Sequence, residues 1–119
     1  MKSDFKPIYD LEDRTCKFGE EIILFCKELK PDLINKPIIN QIIRSGTSVG
    51  ANYLEANGAS SKKDFRNKIH FCKKEIQETK HWLKMMARCN PEKKFTIQKI
   101  WQEAHELTLI FGKIASSSK

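Results

Sequence analysis

Apolar residues return at alternating intervals of three and four along nearly the whole chain, and no stretch alternates cleanly with period two. A 3.6-residue period of that persistence buries its apolar surface as packed helices rather than as sheet. The clearest stripe is Phe65, Ile69, Cys72, Ile76, Thr79, Leu83 and Met86. Earlier in the chain come Leu11, Thr15, Phe18, Ile22, Phe25 and Leu29, then Ile39, Ile42, Gly46, Val49, Tyr53 and Ala56. The last stripe is Ile97, Ile100, Trp101, Ala104, Leu107, Phe111 and Ile114.

Punctuation residues divide these stripes into helices at about 10–30, 37–57, 61–89 and 96–114. Asp10 is a candidate N-cap for the first, and Pro31 ends it because proline has no N–H to continue the ladder. Pro37 suits the first turn of the second. Asn57-Gly58 offers that helix an end at a residue tolerant of left-handed dihedrals. Ser60 or Ser61 caps the third, with Asp64 near its positive dipole end. Asn90-Pro91 breaks the chain before the fourth, and Ser116–Lys119 reads as a frayed tail. Connections of this length force antiparallel neighbours. The expectation is an all-α, up-down-up-down four-helix bundle formed as one domain by residues 1–119, with no internal repeat or linker.

One flank of the third helix is cationic. Lys62, Lys63, Arg66, His70, Lys73, Gln77, Lys80, Lys84 and Arg88 share it, and no carboxylate interrupts the row. A solvated helix normally mixes signs, so a single-sign row implies a polyanionic partner. The formal charge is +7, and it is unevenly distributed: residues 60–119 hold fourteen Lys/Arg against six Asp/Glu, whereas residues 1–59 hold eight against nine. Lys62, Lys63, Arg66, Lys73, Lys80, Lys84 and Arg88 are the candidate phosphate contacts. Exposed aromatics for stacking look few, so readout of shape and charge is expected. A solubilising face, or pairing with Asp10, Glu12, Asp13, Glu20 and Glu21 of a neighbouring subunit, would account for the same row.

The other flank of this helix places Phe71, Trp82 and Met85 on one line, with Glu75 and Glu78 beside them. Aromatics and Met there suit either an interface between subunits or a wide core-facing stripe. Helix two is unusual in containing Gly46 and Gly50, each costing about 1 kcal/mol against Ala in a helix interior. Small side chains permit close backbone approach, and Ser48 and Asn52 could hydrogen-bond a neighbouring helix. Arg44, Ser48, Asn52 and Glu55 form a polar edge, read as a network fixing helix register, with Arg44 or Glu55 paired to helix three or to another subunit.

These residues also carry a family resemblance. Arg44-Ser45-x-x-Ser48-Val49-x-x-Asn52-Tyr53-x-Glu55, then Ser61-Lys-Lys-Asp64-Phe65, then Glu75-x-x-Glu78-x-x-x-Trp82-Leu83 resembles the small bacterial four-helix-bundle family named after the 23S rRNA intervening-sequence protein. One departure is Ala56 after Glu55, where the family often has Gly. The resemblance implies a bundle assembling into homopentameric rings and no enzymatic activity. It also implies kinship with the accessory variability protein of diversity-generating retroelements, a basic pentamer that binds nucleic acid and a reverse transcriptase.

Chemistry has little support in the residues. His70, His81 and His105 lack the Glu-x-x-His pairs of bundle metal sites, and Cys16, Cys26, Cys72 and Cys89 show no zinc spacing. No cofactor is expected. Arg66-Asn-Lys-Ile-His70 resembles the Arg–His pair of HEPN-type RNases, but with a shorter spacer. Ser45, Ser48, Ser60 and Ser61 lack an elbow motif or adjacent base, and no Gly-rich phosphate loop is present. Met1–Asp10 is polar, no apolar run reaches membrane-spanning length, and the cysteines look reduced and core-type, so a cytoplasmic protein is expected. The sequence therefore reads as a non-enzymatic homo-oligomeric bundle binding structured RNA or DNA through helix three. An adaptor recruiting an acidic protein is the alternative; neither reading calls for a small-molecule substrate.

Overall fold

The computed structural model describes residues 7–118, with side chains from residue 10 onward. They form four α-helices, α1 (Pro7–Lys27), α2 (Asn35–Asn57), α3 (Lys62–Cys89) and α4 (Lys94–Ser117), with a 3-10 turn at Pro91–Lys93 leading into α4. Each helix runs antiparallel to the next, as the cross-helix bonds Asn57–Glu12, Ser45–Thr79 and Lys80–His105 record. The fold is an up-down-up-down four-helix bundle.

The helix ends differ from the expected ones, for local reasons. Asp10 lies inside α1 rather than capping it. α1 stops at Lys27, where the Glu28 and Leu29 N–H groups bond the Phe25 and Cys26 carbonyls at 3.0 and 3.2 Å and tighten the last turn. Pro31 disfavours helical backbone at Lys30, so the chain has already left the helix. α2 begins before Pro37 because Asp32 Oδ1 accepts from the N–H groups of Ile34 (3.1 Å) and Asn35 (2.8 Å). Gly58 ends α2 at φ −98°, without the left-handed turn its identity suggested. α3 is one unbroken rod, capped by Ser61 Oγ accepting from Asp64 N–H at 3.0 Å. α4 starts two residues earlier than expected and continues through Ser116 and Ser117, so the tail is helical there; Lys119 lies outside the described residues.

The core follows the predicted stripes. Phe18, Ile22, Ile42, Val49, Ile69, Ile76, Leu83, Leu107 and Phe111 are almost wholly shielded. Each such side chain contributes about 1.5–3 kcal/mol in removed apolar surface. Ile39, Phe65, Trp101 and Ile114 are half-buried at the margins. α1 and α2 approach closely: a Cβ on Gly46 would sit 2.9 Å from Ile22 Cγ1, and one on Gly50 3.4 Å from the Thr15 backbone. α2 stays helical through both glycines because that approach seals the core.

Candidate nucleic-acid interface

The apolar seam of α3 sets the direction of its cationic row. With Ile69, Cys72, Ile76, Thr79, Leu83 and Met86 turned inward, the row falls on the flank beside α4. Lys62, Lys63, Lys84 and Arg88 are exposed, while Arg66, Lys73 and Lys80 are half-buried. The carboxylates of α4 do not reach them. Glu103 and Glu106 both turn toward α1, where Arg14 binds Glu103 through Nε (2.7 Å) and Nη2 (2.8 Å) and Glu106 through Nη2 (2.8 Å). Those hydrogen bonds and charges hold the guanidinium well above its ordinary value. Among the described residues, no ion pair involves any of the seven Lys and Arg of the row.

The row borders a groove between α3 and α4. At one end Arg66 donates to the Ser118 carbonyl (3.3 Å), beside a cleft of about 410 Å³ shared with His70 and Gly112. Gly112 leaves room there: a Cβ would lie 3.9 Å from Lys73 Nζ. Midway, Lys80 Nζ lies 3.0 Å from His105 Nδ1 and 4.6 Å from the centre of the Trp101 ring. Lys84 Nζ is 5.9 Å from the same ring. Burial, and then the Lys84 charge, lower the pKa of Lys80. Beyond Trp101 the groove opens into a cleft of about 550 Å³ bounded by Lys84, Ala87, Lys94, Ile97 and Gln98.

Trp101, His105 and Lys94 were missed as groove residues. Trp101 belongs by phase to the apolar stripe of α4, and only its position at the stripe's margin brings it out. Its ring stacks on His105 with centroids 5.2 Å apart and planes 9° from parallel.

The polar edge of α2 meets α3 at two of its four residues. Arg44 pairs with Glu75 (3.1 Å) and with Glu78, and Glu55 with Lys68 (2.8 Å). The bond and charge of Glu55 raise the Lys68 pKa. Ser48 and Asn52 instead bond their own helix, to the Arg44 and Ser48 carbonyls. The bridging hydroxyl pair is Ser45 with Thr79, at 2.8 Å in the core. Phe71 and Met85 are exposed and Trp82 is half-buried. Trp82 Nε1 donates to Glu78 at 3.1 Å, so the Arg44 ion pair divides Phe71 from Trp82 along the helix.

Cys26 and Cys72 are buried, with thiols pushed up to about 11 and about 12 by that burial, whereas Cys16 and Cys89 are exposed. Among the described residues no three His, Cys, Asp or Glu side chains are grouped to hold a metal ion. No helix there is long and apolar enough to cross a membrane.

Fold and site together define a small all-α bundle presenting one cationic groove. The chain belongs to the 23S rRNA-intervening sequence protein family, whose model matches residues 9–113. A crystal structure of a protein of unknown function from the S23 ribosomal protein family, from Bacteroides thetaiotaomicron, is similar to it. The two are 31% identical with a TM-score of 0.77, over 88% of this chain and 97% of that one. No curated protein matches the chain.

Proposed function

We propose that this protein binds nucleic acid without catalysing a reaction, using the α3–α4 groove as its phosphate-contacting surface. The observation that supports this reading is a row of seven Lys and Arg on α3 without an ion pair among the described residues. Of these, Arg66, Lys73, Lys80 and Lys84 lie at the groove, with the nearest α4 carboxylates committed to Arg14. Phosphates entering the groove would release condensed counterions at each contact. Arg66, Lys73, Lys84 and Arg88 would position the backbone without reading base edges. Copies of the chain would associate through Phe71 and Met85 beside Trp82, as the family resemblance implies, in a cytoplasmic homo-oligomer.

The test is binding of mixed-sequence RNA and DNA across a salt series, with Lys73, Lys84 and Arg88 reversed to Glu. Affinity should fall steeply with salt in the wild type and nearly vanish in the reversed protein. Affinity indifferent to salt would remove this reading. Capture of an acidic protein from nuclease-treated lysate, with no retained nucleic acid, would replace it with the adaptor.

A further inference from the structure

We infer that the cleft beside Trp101 seats a single unstacked base, so that the groove takes single-stranded nucleic acid in preference to duplex. This rests on the nucleic-acid reading above and narrows it to a strand and a contact.

Trp101 stands between a cluster of polar side chains and a cleft. Lys80 Nζ is 3.0 Å from His105 Nδ1 and also lies over the indole. The imidazole stacks on the indole, the two rings 9° from parallel with centroids 5.2 Å apart. Lysine and imidazole are thus both in contact with the indole and with each other. Lys94, Ile97 and Gln98, which precede Trp101 on α4, bound the 550 Å³ cleft together with the indole and with Lys84 and Ala87 of α3. That volume falls within the range of about 300–1,000 Å³ typical of small-molecule pockets, ample for one base. A flat aromatic wall with Ala87 and Ile97 beside it matches the π-face of a base. Lys84 and Lys94 at the mouth match its flanking phosphates, and no carboxylate lines the cleft.

The residue type agrees. Trp101 Nε1 is buried without a hydrogen-bond partner, an unmet donor that phenylalanine would not bring to the same packing site. Indole offers instead a broader stacking surface and a stronger seat for Lys80. Paired bases stay stacked within the helix, so a duplex would meet the row of charge and leave the cleft empty.

The experiment compares oligothymidylate, oligouridylate and a duplex of equal phosphate number, in a Trp82→Phe background where Trp101 is the remaining tryptophan. Single strands should quench Trp101 emission and the duplex should not. Trp101→Leu should weaken single-strand binding about tenfold, the loss expected of one stacked base, and leave duplex affinity and salt dependence unchanged. Ala87→Leu, which fills the cleft while keeping the indole, should do the same and guards against misfolding of the first variant. Single-strand affinity unmoved by both substitutions, or equal quenching by duplex, would overturn the base site while leaving the phosphate groove standing. Absence of binding by any of the three probes would overturn both.

Discussion

Lys80 and His105 meet across the α3–α4 groove, amine to imidazole Nδ1 at 3.0 Å. At that distance the two side chains share a hydrogen bond that links α3 to α4. It also draws Lys80 over Trp101 and away from open water. Of the seven cations of the row, this one is engaged by a side chain of the protein itself, as Arg66 is by the Ser118 carbonyl.

That engagement separates Lys80 from Lys84. Replacing an ordinary phosphate-contacting lysine by glutamine lowers the slope of log affinity against log salt by about one. Lys84→Gln should show that loss and leave stability unchanged. Lys80→Gln should lower the slope by less and cost about 1 kcal/mol in urea unfolding, through the lost bond and cation–π contact. Equal slope changes in the two variants would contradict the assignment.

The two glycines of α2 should respond to alanine with opposite signs. At Gly46 the new methyl would meet Ile22 Cγ1 at 2.9 Å and Cγ2 at 3.1 Å, and Ile22 is wholly buried. Overpacking of this kind costs about 1–3 kcal/mol and outweighs the helix-propensity gain. At Gly50 the nearest atoms lie at 3.4 Å, an ordinary contact. Gly50→Ala should therefore stabilise by a few tenths to about 1 kcal/mol. Chemical denaturation of both variants checks the pair.

How much of this was legible beforehand divides by the kind of signal. Helix number, phase and the inward seam of α3 follow from periodicity, since apolar residues must share a face to be buried. Helix ends depend on single polar contacts such as Asp32 capping Asn35, which a period does not carry. The cationic row could be read from α3 alone. Its openness could not, because that depends on Arg14 of α1 drawing Glu103 and Glu106 of α4 aside. Trp101 shares a stripe with Ile100, and periodicity does not say which of two adjacent stripe residues lies at the margin. Thr79 stands as a polar residue in the apolar seam of α3, but periodicity does not name Ser45 as its partner across the core.

The cysteines should give a pH-dependent stability. A buried thiol keeps its proton while the unfolded chain titrates near the ordinary value of 9.0. Below that pH both states hold the proton, and the thiols add no slope. Above it the unfolded state sheds protons that the folded state retains until about 11 at Cys26 and about 12 at Cys72. Stability contributed by the protonated thiols is therefore lost as pH rises through that window. Against the wild type, Cys72→Ala should show a shallower alkaline decline, whatever its cavity costs at neutral pH. Thiol labelling of the native protein should modify Cys16 and Cys89 promptly, and Cys26 and Cys72 only in denaturant.

Asn35 and Asn90 close the end of the bundle where α2 begins and α3 stops. Each amide donates to the other's oxygen, at 3.2 and 3.0 Å, in a site that is 2% and 8% exposed. Asn35 also donates to the Lys30 carbonyl, and Asn90 to the Met86 carbonyl, so the pair ties the α1–α2 connection to the last turn of α3. Removing one amide strands the other in a space closed to water, a loss of about 1–3 kcal/mol. Asn90→Asp should cost more than Asn90→Ala at neutral pH, since a carboxylate has no hydrogen to give Asn35 or Met86 and would be buried charged. Asn35→Ala combined with Asn90→Ala should fall short of the sum of the single losses by about 0.5–3 kcal/mol, as contacting partners do. Additive losses in urea unfolding would show that the two amides act separately, each through its own backbone bond.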